Sequence, residues 1–190
     1  MKTKEKILES SFALFREKGF QATAISEILE NANAYKKSLY DHFDSKEEIG
    51  FAYLEHLSRQ QGIVMRKVLE KSKDMDDFID KWINFIIRDQ RNTTRKDCPI
   101  ALFSGEISHL PQFEPYRNQA IQYVLQTTES CIEHFRNDLR TDTLHQIAIE
   151  LYIAYLGGLR LYSLTKDRKV IERMKDQMKH TARKKNKDFF

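Results

Sequence analysis

The chain has 190 residues, of which 41% are hydrophobic and 32% charged, with six glycines, three prolines and two cysteines. That length can bury a core in one or two small domains; the scarcity of chain breakers points to an all-α fold, and two cysteines exclude a disulfide scaffold and suit a reducing compartment. The formal net charge of +4 is a poor guide to partners, because residues 1–46 hold eight Lys/Arg against seven Asp/Glu while residues 166–190 hold ten against four, so a claim on nucleic acid must rest on where charges stand.

Ile7, Leu8, Phe12 and Phe15 recur at helical spacing, and Gly19-Phe20 ends that first helix. Ala22, Ile25, Ile28 and Leu29 build a second, shorter helix, with Thr23 expected as its N-cap. The turn Asn31-Ala32-Asn33-Ala34 leads to a third helix that buries Leu39 and Phe43 and turns Lys36, Lys37 and Tyr40 outward. Two short helices, a turn, and a basic and aromatic third helix make a helix-turn-helix suited to a DNA major groove. A plain three-helix bundle with a solvated basic face has the same pattern.

Ser45 and Glu48 form a capping box opening a long helix to about Lys71. Asp74 caps the next helix, whose Phe78, Ile79, Trp82, Ile83, Phe85 and Ile86 form an aromatic-rich face. The polar run 89–97 reads as a loop. A short helix opens at Pro99 and is expected to end at Pro111, and Pro115 sits in the first turn of a helix running to about Asp138. Thr141 or Asp142 is expected to cap the helix that ends at Leu164, and Val170 to Lys179 forms the last one. The basic end, Lys179 to Lys187, reads as solvated and frayed.

The N-terminus lacks a signal-like apolar run, and the uncharged stretch Leu151–Leu159 falls far short of the ~20 residues a membrane span needs. A cytoplasmic protein is expected. Ala154, Gly157 and Gly158 would let a second helix approach closely, either in the chain's own core or as the seam of a homodimer. Phe78, Trp82, Phe85, Phe103, Tyr116, Tyr123, Tyr152 and Tyr155 are either core aromatics or the lining of a ligand cavity, with Arg160 as an orienting charge. Cys98 reads as a small buried hydrophobe rather than a redox sensor. The six histidines show no metal-binding spacing, and no nucleophile elbow, P-loop or glycine-rich phosphate turn is present, so neither cofactor, metal nor enzymatic activity is expected.

The residues Ile7-Leu8, Phe12, Leu14-Phe15, Gly19-Phe20, Thr23, Ile25 and Ile28, then Lys36, Leu39-Tyr40, His42-Phe43 and Ser45-Lys46-Glu47-Glu48, resemble the N-terminal domain of the TetR family of bacterial transcriptional regulators. Three positions depart from that pattern. Asn33 replaces a usual glycine, which asparagine can do at positive φ; Tyr35 replaces a serine cap, and Lys37 replaces a small residue. Asp97-Cys98-Pro99, Glu106, Pro115 and the helix holding Gly157-Gly158 resemble the LmrA/YxaF-like branch.

The resemblance implies a helix-turn-helix domain over residues 1–46 and an effector-binding and dimerisation domain over 47–190, with about nine helices in all. It implies a homodimeric, ligand-responsive repressor that leaves palindromic operator DNA when a small apolar or aromatic effector binds. Tyr35, Lys36, Lys37 and Tyr40 would work in the groove, with Thr23, Ser38, His42 and Lys46 completing the DNA-binding set, the last three on phosphates. Two rival readings remain: a DNA-binding activator or architectural protein without an effector, and a helical small-molecule-binding protein that has lost DNA binding.

Overall fold

Helices follow the apolar periodicity almost throughout. The computed structural model describes residues 2–92 and 95–188 and holds α1 (Thr3–Lys18), α2 (Ile25–Ala32), α3 (Lys36–Tyr40), α4 (Lys46–Leu69), α5 (Met75–Asp89), α6 (Pro99–Glu106), α7 (Glu114–Phe135), α8 (Thr141–Thr165) and α9 (Arg168–Ala182). Short 3-10 turns lie at Gln90–Asn92, Pro111–Phe113 and Asn186–Asp188. No strand occurs among the described residues.

The caps differ from expectation more than the helices do. Thr23 does not cap α2: its hydroxyl donates to the Gly19 carbonyl at 2.7 Å, and Ala24 stands at the cap position in extended backbone. Glu27 reaches back instead and accepts the Ala24 N–H at 2.8 Å. Neither Thr141 nor Asp142 caps α8, because Arg140 holds the cap position and Thr141 is already helical. Asp74 does cap α5, accepting the Asp77 N–H at 2.8 Å. Ser45 Oγ accepts the Glu48 N–H at 3.3 Å, while the Glu48 carboxylate reaches Asp44 N at 2.7 Å. Pro111 opens a 3-10 turn rather than ending α6, which stops at Glu106.

The chain divides into two compact units, and the division is not at residue 46. One unit comprises Met1–Leu57, Asn92–Arg95 and Pro99–Ala120; the other comprises Ser58–Arg91, Lys96–Cys98 and Ile121–Phe190. Aromatic packing explains why α6 and the first turns of α4 and α7 join the N-terminal helices. Phe103 on α6 lies 5.6 Å from the Phe20 ring and 5.1 Å from Tyr53, and Phe113 lies 5.6 Å from Phe20. Such ring pairs add ~0.5–1.5 kcal/mol each beyond the burial of their area. Ile7, Phe15, Ile28, Leu39 and Phe43 complete this core.

In the other unit, Phe78, Trp82 and Tyr155 stack in series, with ring centroids 6.1 and 5.0 Å apart, and Ile79, Ile83, Leu151 and Leu159 are buried. The basic end of the chain is tied down rather than frayed. Lys175 donates to Asn84 and Lys179 to Asp80, each at 2.7 Å; Lys184 meets Glu150 at 2.6 Å, and Arg183 pairs with Asp76. Arg136 adds hydrogen bonds to the Ala182 and Lys184 carbonyls at 2.9 and 3.3 Å.

Gly158 faces α9, and a Cβ there would fall 2.5 Å from the Met174 sulfur, so this glycine serves packing within the chain. Gly157 has open space around it, and Ala154 is half-buried. Ile153, Leu161 and Leu164 on the same helix are 65%, 49% and 68% exposed. At 25 residues, α8 is long and apolar enough by length and composition to cross a membrane, a test that core helices also pass, and eight of its residues are buried within the chain.

Candidate nucleic-acid interface

A five-residue helix must be held by its flanks, since isolated helices of that length do not persist in water. Leu39 and Phe43 anchor α3 in the core. At its entrance Asn33 adopts φ 46°, ψ 52°, the left-handed conformation that asparagine tolerates, and Ala34 N–H closes the turn onto the Leu29 carbonyl at 3.0 Å. Tyr35 stands at the cap in extended backbone and makes no side-chain cap bond. Its ring is therefore presented outward, 84% exposed.

Lys36, Lys37 and His42 are exposed, Tyr40 is 45% exposed and Ser38 is half-buried. Lys36 Nζ lies 5.9 Å from the centre of the Tyr40 ring one turn on. Lys46 is half-buried, its Nζ 4.5 Å from the Phe20 ring, and burial pulls its pKa below the usual lysine value. Thr23 is buried and its hydroxyl is already used, so it serves the turn rather than a phosphate. Lys4, which the sequence pattern did not single out, has its Nζ 5.3 Å over the Phe43 ring. That adds an exposed cation from α1 beside α3. Only the tertiary packing of α1 on α3 brings it there. Tyr35, Lys36, Lys37, Tyr40 and His42 thus form one exposed aromatic and basic segment.

The aromatic residues proposed for a ligand cavity fall in both units. Phe103 and Tyr116 belong to the unit holding α1–α3, where Phe103 is core and Tyr116 stacks on Phe51 at 3.9 Å. Phe78, Trp82, Phe85, Tyr123, Tyr152, Tyr155 and Arg160 lie in the other unit. Tyr152 and Tyr155 are buried, and burial holds their hydroxyls neutral by raising their pKa. Trp82 Nε1 is buried with no hydrogen-bond acceptor among the described residues. Tyr123 accepts from the Arg66 guanidinium at 3.3 Å, and Arg88 sits over the half-buried Phe85 ring at 5.6 Å. Arg160 donates to the buried Asp97 carboxylate at 3.0 Å. Cys98, next in the chain, is fully buried, and no cluster of three metal-binding side chains occurs among the described residues.

Residues 7–53 match the family described as bacterial regulatory proteins, tetR family. Over 46 residues the chain is 46% identical to the negative transcriptional regulator IcaR of the icaADBC biofilm operon of Staphylococcus epidermidis, a match covering 24% of this chain and 25% of that protein. It is 24% identical over 187 residues to the HTH-type transcriptional regulator YxaF of Bacillus subtilis, covering 96% of each. Its backbone superposes on a TetR transcriptional regulator from Legionella pneumophila with a TM-score of 0.77 at 22% identity, over 95% of this chain and 97% of the other.

Proposed function

We propose that this chain, a TetR-family protein in its residues 7–53 and in its fold, is a ligand-responsive DNA-binding transcriptional regulator that acts as a repressor in the cytoplasm. The observation that carries the reading is the short α3, entered through the left-handed Asn33 and offering Tyr35, Lys36, Lys37 and Tyr40 to solvent. An exposed tyrosine and two lysines on a rigidly anchored helix have no role in the core, and their chemistry suits base edges and sugar-phosphate. His42, Lys46 and Lys4 supply further phosphate contacts. The DNA-contacting residues lie within 1–46, and the unit that holds α5, α8 and α9 binds the effector and the second subunit.

Two copies bind as a homodimer, which a palindromic operator requires. The outward residues of α8, Ile153, Leu161 and Leu164 with the open Gly157, supply the seam. The effector is a small, mainly apolar molecule with one hydrogen-bond acceptor, held near the Trp82, Tyr152 and Tyr155 rings, where the buried Trp82 N–H lacks a partner. The Arg160–Asp97 ion pair of that unit is the polar group such a molecule would disturb. Effector and DNA must then oppose each other through differential affinity for two states.

Binding of duplex DNA by the wild type and by the Lys36→Ala/Lys37→Ala double variant tests the reading. Tight, salt-dependent binding that the double variant loses is expected. Wild-type binding that the double variant matches at every salt concentration would remove α3 from the interface. For any candidate effector, DNA must weaken it by the factor by which it weakens DNA; a ligand whose affinity saturating operator leaves unchanged is not the inducer.

A further inference from the structure

The turn between α1 and α2 is held by two side chains from far along the sequence. Glu106, the last residue of α6, accepts the Phe20 N–H at 2.6 Å and the Gln21 N–H at 3.4 Å. Arg95 donates to the Phe15 carbonyl at 3.2 Å, near the C-terminal end of α1, and pairs with the other Glu106 oxygen. All five residues lie in the same compact unit.

Gly19 fits this arrangement in two ways. Its φ of 95° lies where residues with a Cβ are strained, and a Cβ there would stand 2.6 Å from both Glu106 oxygens. The carboxylate thus occupies the space a side chain would fill. The Gly19 carbonyl in turn receives the Thr23 hydroxyl, which fixes the residue before the α2 cap. The turn from Phe20 to Thr23 thus carries charge-assisted hydrogen bonds to Glu106 and a neutral one from the Thr23 hydroxyl to Gly19, beside the contacts of α1 with α2.

We propose that Glu106, paired with Arg95, is a positioning residue for DNA binding: it clamps the α1–α2 turn and so fixes how α2 and α3 are presented. The proposal rests on the regulatory reading above and deepens it. Glu106 touches no DNA and acts through Phe20, Gln21 and Gly19. A bond to a charged acceptor outweighs a neutral one, so its loss is felt locally before the fold is lost.

Hydrogen exchange of the Phe20 and Gln21 amides in the full chain, together with affinity for duplex DNA selected from a random pool by the wild type, tests this. In Glu106→Ala the Phe20 amide should exchange about tenfold faster or more. Amides of α5 and α9 should keep their wild-type rates, and the selected DNA should bind about tenfold more weakly or worse. Glu106→Gln keeps an oxygen for the Phe20 N–H but breaks the Arg95 ion pair, so it should fall between; it carries the same readouts if the alanine variant does not fold. Unchanged Phe20 protection overturns the clamp whatever DNA does, and unchanged DNA affinity once that amide has become exposed overturns the positioning role. A wild type that enriches no DNA defeats the regulatory reading, and with it the positioning role, while the amide rates still decide whether the clamp exists.

Discussion

Lys37 and Lys46 carry the same charge in different surroundings, and that difference sorts their expected roles. Lys37 is exposed on α3, so Lys37→Ala should alter which bases are preferred, by ~1–3 kcal/mol at the position it reads. Lys46 is half-buried over Phe20, so Lys46→Ala should weaken all sequences alike and flatten the salt dependence by about one unit of slope. Selection from random DNA with each variant checks both, and identical base preferences for wild type and Lys37→Ala would remove Lys37 from direct readout. Glu27 contributes to acid sensitivity, beside Asp77 and Asp138, whose carboxyls are lowered likewise. The hydrogen bond from Lys18 to Glu27, then that from the Ala24 N–H, holds the Glu27 carboxyl below the ordinary 4.5. A carboxyl lowered on folding stabilises the fold above its unfolded pKa, and that contribution is lost as pH falls through the folded value. Urea midpoints should therefore hold from neutral pH down to the carboxylate range and then fall, less steeply in Glu27→Gln. Cys131 is pushed up to about 11 by burial, and Cys98 is fully buried. Both thiols should resist alkylation at neutral pH until the protein is unfolded; rapid labelling of the native chain would show an accessible thiol. The burial of Cys98 was expected from the sequence. The sequence could not show that Thr23 turns inward, since a threonine one residue before an extended alanine has the same sequence signature as a cap.

Among the elements, α8 has two faces with separate consequences. Gly158 lies against Met174, so Gly158→Ala should cost about 1–3 kcal/mol through overpacking between α8 and α9, seen as a lower thermal midpoint. Ile153 and Leu164 face outward, so Ile153→Glu or Leu164→Glu should leave the monomer's stability near wild type while shifting sedimentation from dimer to monomer. A wild type that sediments as a monomer would sink the seam. Every helix was legible from periodicity, because burying one face of α1, α5 or α9 forces the 3.6-residue spacing. The small residues of α8 were legible too, but not which of them the chain uses for itself: Gly157 and Gly158 are adjacent in sequence and face different surroundings. The capping of α5 was local and could be read; that of α2 and α8 depended on one-residue shifts.

Across the whole molecule, the unit holding the reader is larger than the residues that match the family. Phe103 and Phe113 pack against Phe20 in the turn after α1, and sequence distance hid them, since an aromatic at helical spacing packs equally well in either unit. The same distance hid Glu106, and it separated Phe103 and Tyr116 from the aromatics grouped with them by composition. Regulation of this kind requires that α3 reads DNA and that two copies do so together. That requirement is tested most directly by selecting duplexes from a random pool with the wild-type protein and sequencing those retained. A palindromic site is expected, its half-sites about one helical turn or a multiple of it apart, and it is lost when Lys36 and Lys37 are replaced by alanine. Retention without any enriched sequence, or an enriched sequence that the double variant still selects, would contradict it.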